Sequence, residues 1–295
     1  MRIFVTGASG WIGSAVIPEL LDAGYKVVGL ARSDAAAASV AALGAEVQRG
    51  NLDDLDSLRS ATAASDGVVH LGYSHDFSRM EAAAQTDLAA INTIGGELAG
   101  TDRPFVVAAG VLGLASGRAA TEWDQPDPRA HPRIAGIQAA MALAERGVRP
   151  SSVRFAPTVH GPGDHGFLAT LVGIARDKGV SAYIDEGANH WSAVHRLDAA
   201  KLVRLAVAGA PAGAALHAVA DEGVPTRVIA EAIGRGLDLP VVSIPAAQAV
   251  DHFGWMGRFF ALDALAENAA TRELLGWDPV HPGLIADLDA GHYFR

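Results

Sequence analysis

Cysteine is absent from the 295 residues. That excludes disulfides, thiolate nucleophiles and Cys-based zinc sites together. Basic runs are absent too: 23 Lys and Arg stand against 33 Asp and Glu, a formal net charge of −10. Phosphate-backbone binding relies on clustered cations, so a nucleic-acid partner is not expected. No apolar stretch approaches the roughly 20 residues of a membrane helix, and no membrane partner is expected. Met1–Gly7 reads as a strand rather than a leader, which makes a cytoplasmic location the expectation. There is no Gly-x-Ser-x-Gly elbow for a serine nucleophile, and no lysine closes the glycine-rich turn, so ATP chemistry is not expected. No metal is expected either, because His160, Asp164 and His165 straddle a Gly-Pro-Gly turn rather than a ligand-presenting helix.

What is present is apolar: half of the residues are hydrophobic, ample for a large core. β-rich runs alternate with Ala- and Leu-rich helical stretches. Strands are expected at 3–6, 26–30, 46–48, 67–71, 104–108 and 152–155, and helices at 11–23, 34–43, 55–63, 79–98 and 134–146. This alternation predicts a parallel sheet with helices on both faces. Beyond residue 157 the rhythm loosens into short strands at 182–184, 215–219 and 241–244, with a helix at 225–235. Residues 1–157 are expected to form a nucleotide-binding unit. Residues 158–295 are expected to form mainly a smaller substrate-binding part, some segments of which return to the first unit's core.

Thr6-Gly7-Ala8-Ser9-Gly10-Trp11-Ile12-Gly13 joins the first strand to the first helix with Gly-x-x-Gly-x-x-Gly spacing. Gly7 suits a tight turn, Gly10 a close approach to a pyrophosphate, and Gly13 close helix–sheet packing. Free N–H groups at the helix start attract the anion. The fold class expected is therefore α/β, a doubly wound parallel sheet of the Rossmann type. Strand two ends in Arg32-Ser33, where an NAD enzyme usually carries an acid for the ribose hydroxyl. A guanidinium there suits a 2′-phosphate, so the expected cofactor is NADP(H). The alternatives are a solvated Arg32 and a helix cap at Ser33 or Asp34. Asn51-Leu52-Asp53 is expected to flank the adenine or cap a helix. Leu71-Gly72-Tyr73 is expected to pass along the cofactor.

These motifs, with Val68-Val69-His70-Leu71, Val153–Gly163 and Ser192–Ala200, resemble the extended or atypical short-chain dehydrogenase/reductases, which include the NAD(P)-dependent epimerases and dehydratases. The resemblance spans nearly the whole chain. It implies a catalytic Ser or Thr after strand five and a Tyr-x-x-x-Lys on the following helix. Neither motif is found here. The Tyr and Lys positions fall near Arg129 and Arg133, and Val107–Leu112 holds no hydroxyl. Arginine stays protonated and does not act as an acid near neutral pH.

The remaining candidates lie on loops at the carboxyl ends of strands. His75, next to Asp76, is a candidate proton-transfer residue, and Arg133 a candidate for holding ribose or phosphate. Trp123, His160, His165, Phe167 and Trp191 are candidates for lining a substrate site, with core packing as the alternative for His160 and Trp191. A lid is expected from Trp123, Phe253, Trp255 and Phe259. His195 and Asp198 are expected to form a structural brace. The reading is an NADPH-dependent reductase of a carbonyl, imine or activated alkene in a small apolar molecule. Its alternatives are an NADP(H)-binding redox sensor resembling the NmrA-like proteins, and a non-redox isomerase or cyclase. A homodimer through the helices at 79–98 and 132–147 is compatible with either.

Overall fold

The computed structural model describes residues 1–74 and 79–295. Seven strands form the central sheet: β1 (Arg2–Thr6), β2 (Lys26–Ala31), β3 (Glu46–Arg49), β4 (Gly67–His70), β5 (Pro104–Gly110), β6 (Arg149–Phe155) and β10 (Ala214–Ala218). Their order is β10-β6-β5-β4-β1-β2-β3, and every pairing is parallel. The chain runs outward from β1 to β3, crosses back to β4, and then runs outward in the other direction. That reversal places a crevice between the carboxyl ends of β1 and β4.

Strands buried on both faces read as continuous apolar runs, because alternate residues enter different cores. In β1, Ile3 and Val5 join the core under α1 (Gly13–Asp22) and α2 (Asp34–Ala42). Phe4 points to the opposite core, with Leu58 of α3 (Leu55–Ala63), Ile91 and Ile94 of α4 (Met80–Leu98) and Ala140 of α5 (Ile134–Ala142). The first face is completed from far along the chain by Leu202 and Val203 of α7 (Arg196–Gly209) and by Trp277.

The C-terminal part has its own core. β7 (Thr158–His160), β9 (His190–His195) and β11 (Asp221–Pro225) make a three-stranded sheet, and β8 (Ser181–Ile184) pairs with β12 (Val241–Ile244). Around them lie α6 (Phe167–Lys178), α8 (Thr226–Leu237), α9 (Ala249–Phe253), α10 (Met256–Phe260) and α12 (Leu284–Asp289). Leu171, Trp191, Ile229, Phe260 and Leu284 are buried together there. α11 (Ala269–Leu275) packs back on β10 and α7.

One expectation is corrected. Trp191, expected on a loop with the other site candidates, lies instead in β9, which pairs with β7 on one side and β11 on the other. Sandwiching between two strands, rather than an alternating pattern of its own, makes it a strand.

Asp198 ties this architecture together. Its buried carboxylate accepts from the backbone N–H of Val280 (3.1 Å) and of His281 (2.9 Å), and pairs with His281 Nδ1 at 2.9 Å. Its own carbonyl accepts from Trp277 Nε1 at 3.0 Å. His195 caps α7 and stacks on His281 with ring centroids 4.7 Å apart. The expected brace is thus built through His281. Asp198→Ala leaves three part-buried donors without this partner, and losses of this kind cost up to about 1–3 kcal/mol each. Urea denaturation of D198A is expected to show about 3 kcal/mol less stability; a midpoint equal to wild type would remove the brace from the argument.

Candidate functional site

The crevice begins with the turn after β1. Gly7 has φ +65°, and a Cβ there would fall 2.7 Å from the Gly72 nitrogen and from the Leu71 carbonyl carbon. A Cβ on Gly13 would overlap the Gly7 carbonyl. Both positions therefore exclude side chains for steric reasons. The Gly10 N–H donates to the Gly7 carbonyl at 2.9 Å, Ser9 and Gly10 are exposed, and no side chain caps α1 at Ile12. The result is a cradle of backbone with an uncapped helix start, a fitting place for a pyrophosphate. Ile12 packs into the core beneath it.

The side chain of Trp11 has a structural job. Its Nε1 donates to the Val159 carbonyl at 2.7 Å, Arg196 covers its ring at 4.2 Å, and His165 meets it edge-on at 5.5 Å. It fastens the cradle to the loop after β7 and to the start of α7, so only its backbone is left for a ligand.

At the end of β2, Arg32 is exposed and makes no hydrogen bond or ion pair among the described residues. Ser33 caps α2, accepting from the Ala36 N–H at 3.2 Å. Sequence reasoning passed over Arg49. It lies opposite Ala31 in the sheet register, donates to the Ser33 carbonyl at 2.7 Å and pairs with Asp34 at 2.6 Å. Arg49 therefore stands across the register from the end of β2 that carries Arg32, with its own guanidinium engaged by Ser33 and Asp34. Asn51 Oδ1 accepts from the N–H groups of Asp53 (2.7 Å) and Asp54 (3.0 Å), an Asx turn. Asp54, not Asn51 or Asp53, caps α3. Leu52 lies beside Gly72, and Leu71 is half-buried against the core.

A buried polar chain runs inward from the crevice. The Gly72 N–H donates to Thr6 Oγ1 at 3.1 Å, and Thr6 Oγ1 meets His70 Nδ1 at 2.8 Å. His70 Nε2 meets Asp87 Oδ1 at 3.0 Å. A carboxylate only accepts, which puts the imidazole proton on Nε2 and makes Thr6 the donor to Nδ1. Asp87 Oδ2 is 3.6 Å from Arg133 Nε, an ion-pair distance beyond hydrogen-bond range. Arg133 in turn lies over the Tyr73 ring, 4.1 Å from its centroid. Tyr73 and Arg133 thus meet at the crevice, whereas Arg129 is exposed and bonded to Asp127. His75 and Asp76 lie outside the described residues.

Burial revises the substrate candidates. Trp191 is fully buried against Phe260 and Phe167, so its indole is core behind a wall rather than the wall. His160 is also fully buried, with Nδ1 2.9 Å from Asp287, and does not reach a ligand. Phe253 is buried as well, and leaves the expected lid. His165 and Trp123 are exposed. Phe167 stays half-buried and contacts Trp255 at 5.8 Å and Phe259 at 5.6 Å, an aromatic group at the surface of the C-terminal part. His195, pushed down to about 4 by burial and by the neighbouring His160 and His281, stays neutral near pH 7. Among the described residues no three His, Cys, Asp or Glu side chains gather as a metal site.

This sheet order, with a glycine cradle at its switch point, defines a Rossmann nucleotide-binding protein. The family model for the NAD-dependent epimerase/dehydratase family matches residues 3–99. An uncharacterized protein of Schizosaccharomyces pombe is 44% identical over 295 residues, 100% of each chain. A 4-hydroxy-2-methyl-3-oxo-4-farnesyl-3,4-dihydroquinoline-1-oxide ketoreductase of Stigmatella aurantiaca is 28% identical, covering 86% of this chain and 80% of that one. Among solved structures, a dTDP-glucose 4,6-dehydratase of Streptomyces venezuelae, solved with NAD bound, superposes with TM-score 0.79 at 20% identity. That match covers 100% of this chain and 96% of the other. A UDP-glucose 4-epimerase of Thermotoga maritima gives TM-score 0.78 at 18% identity, covering 100% of this chain and 98% of that one. Residues 3–99 thus carry the pattern of the NAD-dependent epimerase/dehydratase family, and the whole chain shares the Rossmann-type fold of these solved structures.

Gly13→Ala forces the α1 start away from the Gly7 carbonyl. Binding of the reduced nicotinamide cofactor, NADH or NADPH, followed by its fluorescence, is expected to weaken about tenfold, a loss of about 1.4 kcal/mol. An unchanged isotherm would take the cradle out of nucleotide binding.

Proposed function

We propose that this chain is an NADPH-dependent reductase of a carbonyl, imine or activated alkene in a small, mostly apolar molecule. The observation that carries this reading is the charge at the ends of β2 and β3. Arg32 is exposed and unengaged among the described residues, and Arg49 is held beside it on the adjoining strand. A ribose 2′ substituent falls at this corner of a Rossmann site, and the Arg32 guanidinium, with a second arginine on the adjoining strand, suits a phosphate there. The Arg49–Asp34 contact is exposed, so exchanging it for a phosphate costs little.

Backbone N–H groups of Ser9, Trp11, Ile12 and Gly13 would hold the pyrophosphate, with Gly10 leaving room for its approach. Asn51 and Leu52 would flank the adenine, and Leu71, Gly72 and Tyr73 would line the path to the nicotinamide. Bound NADPH supplies the hydride. Phe167, with Trp255 and Phe259 around it, would offer apolar surface to the substrate, and the exposed Trp123 and His165 would contribute to the same site. The ketoreductase relative supports reduction as the reaction class. A cytoplasmic homodimer paired through α4 and α5 completes the reading.

Hydrogen bonds to charged groups are worth about 1.5–3 kcal/mol, so Arg32→Asp is expected to weaken NADPH about 10–100-fold. NADH is expected to change little, and equal loss of both cofactors would sink the NADP assignment. Following NADPH absorbance across ketones, imines and enones tests the reaction itself. Turnover on one class establishes the reductase. Tight NADPH binding with no turnover on any overturns it in favour of a redox sensor or a non-redox enzyme.

A further inference from the structure

We infer that Arg196 is a further binding residue of this site, a cation that meets the pyrophosphate of a bound nicotinamide dinucleotide from beside the glycine cradle. The inference rests on the dinucleotide seat of the reading above, and on neither its reaction nor its choice of NADP(H).

Helix packing puts Arg196 level with the cradle. α7 lies along α1, and two contacts fix their register. Arg204 Nε donates to Glu19 Oε1 at 2.7 Å, and the Arg196 guanidinium lies 4.2 Å from the centre of the Trp11 ring. Glu19 comes eight residues after Trp11, and Arg204 eight after Arg196. Equal steps, each worth about 12 Å of helix, mean that the two segments run side by side in the same direction. The start of α7 therefore stands beside the start of α1, at the carboxyl edge of the sheet where the cradle opens. The Trp11 ring between them is fixed, since the Val159 carbonyl holds its Nε1 at 2.7 Å.

The Arg196 guanidinium has no counter-charge. None of its N–H donors has a partner among the described residues, and partial burial alone acts on its ionisation, pushing it downward. Asp198, two residues on, is committed to Val280 and His281. Asp164, on the loop whose Gly161 faces the base of the Arg196 side chain, accepts from the Gly166 N–H at 2.6 Å and from the Tyr293 hydroxyl at 2.9 Å. The Arg196 nitrogens are not sealed in, so a solute reaches them. Holding a part-buried cation without an anion costs free energy, and a stack on an indole face offsets only part of it. A guanidinium keeps its donors in its own plane, so it binds phosphate oxygens at its rim while its face stays on the ring.

A dinucleotide pyrophosphate carries two negative charges, and backbone N–H groups answer them with partial charges only. Arg196 completes the neutralisation. It and Arg32 serve different parts of the cofactor. Arg32 stands at the end of β2, where a ribose 2′ substituent falls, and discriminates NADPH from NADH. Arg196 stands by the cradle and serves both cofactors alike.

Arg196→Met keeps an apolar chain on the Trp11 ring and removes the charge. Affinities for NADPH, NADH and ADP-ribose, which has the same pyrophosphate without nicotinamide, are expected to weaken about tenfold, equally for all three. Arg196→Lys restores a cation and is expected to recover most of the loss. A second readout keeps the wild-type charge. In protein with 15N-labelled arginine, the Arg196 Nε–H resonance, assigned by its absence from R196K, is expected to shift when ADP-ribose is added. Should R196M lower the thermal midpoint, that resonance decides. Unchanged affinities in a stable R196M, or a resonance indifferent to ADP-ribose, overturn the inference and leave the stack purely structural. Weakening of NADPH alone overturns it too, and makes Arg196 a 2′-phosphate residue. Wild-type protein that binds NADH as tightly as NADPH overturns the NADP(H) reading alone, and R196M is then read with NADH and ADP-ribose. Wild-type protein that binds none of the three overturns the dinucleotide seat, and the role of Arg196 with it.

Discussion

The turn after β1 and the end of β4 meet with no room for a side chain between them. Gly7 lies so close to the Leu71–Gly72 peptide that a single Cβ would collide with it, and Gly13 stands equally close to Gly7. This contact sets the spacing of the crevice. It decides where the backbone cradle faces, where the chain leaves β4, and where Tyr73 is carried. Parallel pairing of β1 with β4 brings the two ends level, with Thr6 opposite His70. The reversal of strand order at that pair leaves the gap open.

Behind the contact runs the chain of Thr6, His70, Asp87 and Arg133. A buried carboxylate such as Asp87 persists only with a counter-charge and donors around it, and here it has both. The same chain joins the glycine turn to the group that covers Tyr73. Its members come from β1, β4, α4 and the entrance of α5, so packing of the two helices is what closes it.

The C-terminal part is fastened to the sheet at several separated points. Trp11 reaches from the cradle to Val159, and Asp198 holds the Trp277–His281 segment. Glu122, buried in the segment after β5, accepts from both the N–H and the hydroxyl of Thr271. Tyr293 accepts from the Gly161 N–H at 3.1 Å and donates to Asp164 at 2.9 Å, closing the chain end over the turn after β7. Burial and the adjoining Asp164 push its phenol upward, so Tyr293 keeps the proton it donates near pH 7. Polar pins of this kind fix orientation where apolar contact alone permits sliding.

Local signals determined the sheet, the glycine turn and the cation at the end of β2, because each depends on residues within a few positions of one another. Gly-x-x-Gly-x-x-Gly is a steric demand made by neighbours, and alternating apolar runs announce strands buried on both faces. Other features carry no such local mark. β9 is a strand because β7 and β11 flank it, and Trp191 and His160 are core because the helices packed on the three-stranded sheet cover them. Arg49 joins Arg32 only through the register of β2 with β3. The sequence shows that a tyrosine and a lysine are missing from their expected places, but not that Arg133 lies over Tyr73. That meeting belongs to tertiary structure alone: the two residues stand on different elements, and only the packing of α5 on α4 and the sheet brings a distant guanidinium onto a ring fixed by the end of β4.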